Sequence, residues 1–142
     1  MHHAPGTVLP HQVQGILVSL PVVDDDGEAR VGGDLHLPLE EGAALLRYAL
    51  DHGINFIDTA QYYRAYPYMS KAFESGEFDD VIICSKSLAD DYDGMMEAIY
   101  EARQELNREV IDIFLMHEVR SGQLADRMGA WRALVDAKKQ GL

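Results

Sequence analysis

Short apolar runs alternate with longer stretches whose apolar residues recur at helical spacing, and this alternation dominates the chain. The first run, Gly15 to Leu20, is closed by Pro21 and reads as a strand. From Asp24 to Asp34 the sequence is polar and rich in glycine. Its Asp-Gly and Gly-Gly pairs predict a solvated loop or a small hairpin. A helix is expected from Pro38, a residue suited to a first helical turn, with Glu40 and Glu41 complementing the positive end of the dipole. Leu46 and Leu50, flanked by Leu45 and Ala49, give that helix one apolar face, and Gly53 ends it.

The alternation then repeats. A strand is predicted at Ile54 to Ile57, and a short helix from Pro67 through Phe73, ending before Gly76. Asp80 to Ser85 is a continuous apolar run of the kind buried on both faces in a parallel sheet. The next helix covers Asp93 to Leu106, with Met95, Ile99, Ala102 and Leu106 on one stripe. Val110 to Met116 is the following strand, and the last helix runs from Leu124 to Gln140 with Leu124, Met128, Trp131 and Val135 at apolar spacing.

Strands alternating with helices of this length predict βαβ units and a parallel sheet. Right-handed crossovers leave the open doubly wound sheet and the closed barrel as the two main solutions. No Gly-x-Gly-x-x-Gly follows the first predicted strand, which argues against a dinucleotide-binding open sheet. The expected fold class is therefore α/β, a partial (β/α)8 TIM barrel of four β/α units in one domain over residues 1–142. Complete barrels of this type take about 250 residues. Gly141-Leu142 reads as a helix cap followed by the first residue of a fifth strand, so the expectation is an N-terminal half-barrel.

Composition narrows the partners. Acidic residues outnumber basic ones by 24 to 12, and a formal charge of -12 disfavours nucleic acid and anionic membranes. The three consecutive aspartates from Asp24 lack the alternating ligands and closing glutamate of a calcium loop, and no metal is expected. Cys84 is the lone cysteine, inside the run Val81-Ile82-Ile83-Cys84, where a buried inert thiol is expected. No signal-like N-terminus and no run of 18 apolar residues is present, so a soluble cytoplasmic protein is the default expectation.

The chemistry-bearing residues collect where parallel α/β folds keep their reactive groups, at the carboxyl ends of strands. One strand ends in Asp58-Thr59-Ala60 with Tyr62 and Tyr63 in its loop, the next in Ser85-Lys86-Ser87, and the next in His117-Glu118. Taken singly, Asp58 is an ordinary cap, Tyr63 a loop aromatic, Lys86 a solvated strand-end lysine and His117 a structural histidine. Jointly, those readings require four coincidences at one end of a sheet.

Here a resemblance becomes specific. Gly53-Ile54-Asn55-Phe56-Ile57-Asp58-Thr59-Ala60-Gln61-Tyr62-Tyr63 resembles the signature of the aldo-keto reductases at the end of their second barrel strand. In that family the catalytic tyrosine follows the aspartate by five positions, which selects Tyr63 over Tyr62 and Tyr66. Val81 to Lys86 resembles the third strand with its lysine, and Phe114 to His117 the fourth with its histidine. The similarity runs from Pro38 to Leu142; residues 1–37 form an irregular N-terminus with the first strand and loop.

The resemblance implies a catalytic set of Asp58, Tyr63, Lys86 and His117, with Asp58 also at the cofactor. Tyr63 would give a proton to a carbonyl oxygen, and an ammonium nearby would stabilise the phenolate left behind. Lys86 would supply that charge, Asp58 would hold it, and His117 would orient the substrate oxygen. The hydride would come from NADPH, whose main binding half lies in strands five to eight of the family. Some relatives add an iron-sulfur module at the C-terminus, whose cysteines would fall after Leu142.

Two features depart from the family. Arg64 stands where glycine is common, and Met1 to Gln14 shows no hairpin ahead of the first strand. Two other functions compete. Lys86 at a barrel strand end would serve a Schiff-base lyase or aldolase, and a non-catalytic binding chain would keep the fold alone. The expected ligand is a small carbonyl compound. The exposed edges of a half-barrel predict self-association.

Overall fold

The computed structural model describes residues 22–23, 29–31, 35–74, 78 and 80–142. The strand expected at Gly15 to Leu20 lies outside them. Three short strands, β1 (Val22–Val23), β2 (Ala29–Val31) and β3 (Leu35–Leu37), pair antiparallel in sequence order. Their registers, Val22 with Arg30 and Arg30 with His36, are those of a small meander; most of the stretch expected to form a loop or hairpin, Asp24 to Asp34, lies outside the described residues.

The second sheet is parallel and carries the site. It comprises β4 (Phe56–Asp58), β5 (Ile82–Ser87) and β6 (Ile113–Met116), in that spatial order. Helices α1 (Leu39–Asp51), α2 (Tyr66–Phe73), α3 (Tyr92–Glu105) and α4 (Met128–Gln140) complete an α/β fold that matches part of a TIM barrel.

Hydrogen-bonding register moved the strand ends from where apolar runs alone put them. β4 starts at Phe56 because pairing with Ile82 begins there, although Ile82 N–H already donates to Asn55 O at 2.9 Å. β5 continues past Ser85 because Lys86 and Ser87 find partners in Leu115 and Met116. β6 begins only at Ile113, since Asp112 turns its carboxylate onto Ile83 N–H at 2.9 Å.

Side chains alternate between the two faces of a strand, and registered partners in a parallel pair share a face. Ile57, Ile83 and Phe114 therefore face the helices, and they join the core with Leu46, Leu50, Met69 and Ala102. Asp58, Cys84, Lys86, Ile113 and Leu115 share the opposite face. Two of these, Ile113 and Leu115, are exposed.

Two close approaches fix the helices. A Cβ on Gly42 would sit 2.4 Å from Tyr68 Cδ1, so glycine lets the buried Tyr68 ring lie directly on α1. A Cβ on Gly129 would come within 3.0 Å of Tyr92 N, so the first turns of α3 and α4 touch through backbone. Asp91 caps α3 by accepting from Gly94 N–H at 2.8 Å.

Two apolar faces differ from expectation. In α1, Leu45 points to solvent while Ala43, Leu46 and Leu50 are buried. In α4 the buried residues are Ala130, Ala133 and Ala137, packed on Met95 and Ile99, whereas Trp131 is 49% exposed and Met128 and Leu124 are also exposed. Small residues let α4 lie close to α3, and the large apolar stripe is turned outward. Trp131, Leu134 and Val135 line, with Val110, Ile113 and Leu142, a cavity of about 420 Å³ beside β6.

Candidate active site

The site is built at the carboxyl ends of β4, β5 and β6. Asp58 is the last residue of β4, and Thr59 N–H continues the pairing by donating to Cys84 O at 2.8 Å. Gln61–Tyr63 then form a single 3-10 turn, entered through extended Ala60 and ended by Arg64 in the left-handed region at φ 50°.

Gln61 pins this turn on two sides. Its amide donates to the Glu101 carboxylate of α3, and its carbonyl oxygen accepts from Ser87 Oγ at 2.7 Å. Ser87 Oγ also accepts from Ala89 N–H at 3.1 Å. The turn thereby holds Tyr63 inward while Tyr62 points to solvent.

The four residues singled out from the sequence come together. Tyr63 Oη lies 3.5 Å from His117 Nε2, and the rings meet edge to face with centroids 5.5 Å apart. Lys86 Nζ donates to the Asp58 carboxylate and to Thr59 O at 2.7 Å, and it stands 5.6 Å from the Tyr63 ring centroid. The ion pair is sheltered, with side-chain exposures of 15% for Lys86 and 23% for Asp58. Such a pair fixes geometry more than it adds stability, because desolvation offsets much of the attraction.

His117 follows β6, its N–H donating to Ser87 O at 2.8 Å. Glu118 then takes a left-handed conformation at φ 53°, turning the chain away from the sheet. Glu118 itself pairs with Arg120 at the surface and takes no part in the cluster. His117 Nδ1 is buried without a hydrogen-bond partner among the described residues, so no contact there fixes the tautomer and Nε2 is free to donate.

Two neighbours are chemically quieter. Tyr66 Oη meets Ser85 Oγ at 2.6 Å in the core, and its phenol is pushed up to about 12. Burial is the main cause, with the charges of Glu101 and Glu105 adding and the Ser85 hydrogen bond partly opposing. Burial also raises the Cys84 thiol, the Asp58 charge adds, and the Lys86 ammonium opposes. The thiol is buried, as its apolar run predicted, and burial disfavours the reactive thiolate.

Sequence reasoning missed Gln61 and Arg127. Gln61 sits inside the quoted motif, but nothing in its type announces two partners. Arg127 lay within a predicted helix, where an arginine is ordinarily a solvated residue; here it is 5% exposed and contacts the ends of two strands.

Among the described residues, no three His, Cys, Asp or Glu side chains cluster as a metal site would require, and no helix is long and apolar enough to cross a membrane.

Comparison with known proteins supplies a framework. The model of the aldo/keto reductase family matches residues 27–142, beginning ahead of the Pro38 boundary expected from motifs. 2,5-Diketo-D-gluconic acid reductase B of Corynebacterium sp. is 29% identical over 114 residues, covering 78% of this chain and 41% of the relative. Methylglyoxal reductase DkgA of Escherichia coli strain K12 is 28% identical over 105 residues, covering 72% and 38%. Among solved structures, a variant of Gox0644 in complex with NADPH superposes with a TM-score of 0.63 at 27% identity, covering 73% of this chain and 38% of that one. A Brucella melitensis aldo/keto reductase is similar in fold, with a TM-score of 0.62 at 24% identity and coverages of 85% and 49%. The chain thus spans about two fifths of the length of the curated relatives it matches.

Proposed function

This chain belongs to the aldo/keto reductase family, and from that premise we propose that it carries the proton-donating machinery of an NADPH-dependent carbonyl reductase. The observation that carries the reading is the approach of Tyr63 Oη to His117 Nε2 at 3.5 Å, beside the Lys86–Asp58 pair.

The donor set fits a carbonyl group held beside reduced nicotinamide. A phenol and an imidazole nitrogen converge on one point, and an ammonium–carboxylate pair sits alongside. When bound, the cofactor supplies hydride to the carbonyl carbon. Tyr63 donates its hydroxyl proton to the carbonyl oxygen. His117 Nε2 donates a hydrogen bond to the same oxygen and orients it. Lys86 stabilises the phenolate that Tyr63 leaves behind, and Asp58 holds Lys86 and would help to hold the cofactor. Residues 1–142 carry this catalytic group and span about two fifths of the relatives' length, and taken alone they are expected to show no turnover. Substrates are small aldehydes or ketones, the class that the names of the relatives describe.

The Schiff-base alternative is weakened by the same geometry. An amine that attacks a carbonyl must be free to approach it, whereas Lys86 Nζ is held between Asp58 and Thr59 O.

The test is a chimera in which residues 27–142 replace the matched segment of Escherichia coli DkgA. Reduction of methylglyoxal at the expense of NADPH should appear, and Tyr63→Phe should lower kcat by about 10²-fold or more. A folded chimera that does not consume NADPH, or one indifferent to Tyr63→Phe, would overturn the proposal. Borohydride trapping of substrate on Lys86 would establish the lyase instead.

A further inference from the structure

Arg127 breaks a local rule. It occupies the N-cap of α4, where a cation opposes the helix dipole, and its side chain makes no capping hydrogen bond there. A residue placed against its helix's preference is held by something else. That something is a set of carbonyls. Arg127 Nη1 donates to His117 O at 2.8 Å, and Nη2 donates to Ala89 O at 3.0 Å and Ser87 O at 3.4 Å. Nε stands 2.9 Å from Asp90 Oδ1, an ion-pair distance without hydrogen-bond alignment. One buried guanidinium thus spans the loop after β5 and the residue after β6.

The position of those carbonyls matters. Ser87 O also accepts His117 N–H, and Ser87 Oγ holds Gln61, on the turn that presents Tyr63. His117 is gripped through its own N–H and its own carbonyl just before the backbone enters the left-handed Glu118. β6 reaches only Met116, so the sheet ladder does not fix His117 on its far side.

We propose that Arg127 is a positioning residue, which clips the carboxyl ends of β5 and β6 together and thereby aims the His117 ring at Tyr63. The planar fork of arginine suits this task, because it meets carbonyls from two segments at once. The consequence for turnover rests on the reductase reading above; the geometric claim does not.

The test uses the 142-residue chain and proton NMR of its histidine rings, with His117→Gln assigning the His117 signal. Tyr63→Leu should shift His117 Hε1, because the tyrosine ring stands edge-on to it. That response should shrink to less than half in Arg127→Met and fall between the two in Arg127→Lys, which keeps the charge but loses the fork. Dispersed signals from Met95 and Ala133 would show that α3 and α4 still pack. An undiminished response in either folded variant would overturn the proposal. So would loss of folding in both, since Arg127 would then hold the fold rather than aim a ring. A diminished response beside an inactive DkgA chimera would sink the reductase reading and leave the positioning role standing.

Discussion

Gly42→Ala sets two effects against each other. In an exposed helix interior the change would stabilise by about 1 kcal/mol, because alanine is the better helix former. Here the new methyl carbon would stand 2.4 Å from Tyr68 Cδ1 and 2.7 Å from Cε1, well inside contact distance. The ring has little room to retreat: Tyr68 is buried, and its hydroxyl donates to Leu37 O at 3.2 Å, on β3. Overpacking of a filled site costs roughly 1–3 kcal/mol, and a lost hydrogen bond about 1 kcal/mol. The clash wins, so the expected net effect is destabilisation of about 1–3 kcal/mol. The assay is urea unfolding at one fixed protein concentration, because association would make the midpoint concentration-dependent. Tyr68→Ala costs stability on its own, but in that background Gly42→Ala should become neutral or favourable. A wild-type chain stabilised by Gly42→Ala would refute the argument that the ring and α1 share one filled space.

Other expectations follow from groups already placed. Tyr66 ionises near 12 in the fold against an ordinary value near 10, so its contribution is complete below pH 10 and is lost as pH rises to 12. That contribution is roughly 2–3 kcal/mol, and Tyr66→Phe should flatten this part of the stability profile; identical alkaline profiles would contradict it. In the DkgA chimera, Tyr66→Phe should change kcat by less than about 3-fold, in contrast to Tyr63→Phe. β6 presents exposed Ile113 and Leu115 beside the cavity lined by Trp131, so sedimentation velocity should show association that grows with concentration. A monodisperse monomer with a cooperative melt would exclude that.

Periodicity made the order of elements legible because each buried face repeats its residue type at a fixed interval. It placed β5 and α3 within about two residues, an ordinary margin for ends that pairing decides. Asp58, Lys86 and His117 could be found because apolar strands make a polar terminus conspicuous. The face of α4 could not be read this way. Trp131 and Val135 carry more apolar surface than Ala130, Ala133 and Ala137, yet close approach to α3 selects the alanines. Periodicity reports that a helix has an apolar stripe, but not which neighbour's shape will accept it. Arg127 was out of reach for a different reason. Its hydrogen bonds go to backbone carbonyls at Ser87, Ala89 and His117, and a carbonyl leaves no trace in residue type.

The alternation along β5 has an evolutionary consequence. Ile83 and Ser85 face the helices, while Cys84 and Lys86 face the side of Asp58, so one short segment carries two interleaved messages. Substitutions in one message leave the other nearly untouched, and core and chemistry can drift independently. A single-residue deletion between Ile82 and Lys86 would instead exchange them, turning the lysine toward the helices and a serine toward Asp58. A mutational scan of this strand should therefore show tolerance with a period of two for substitutions, and almost none for deletions.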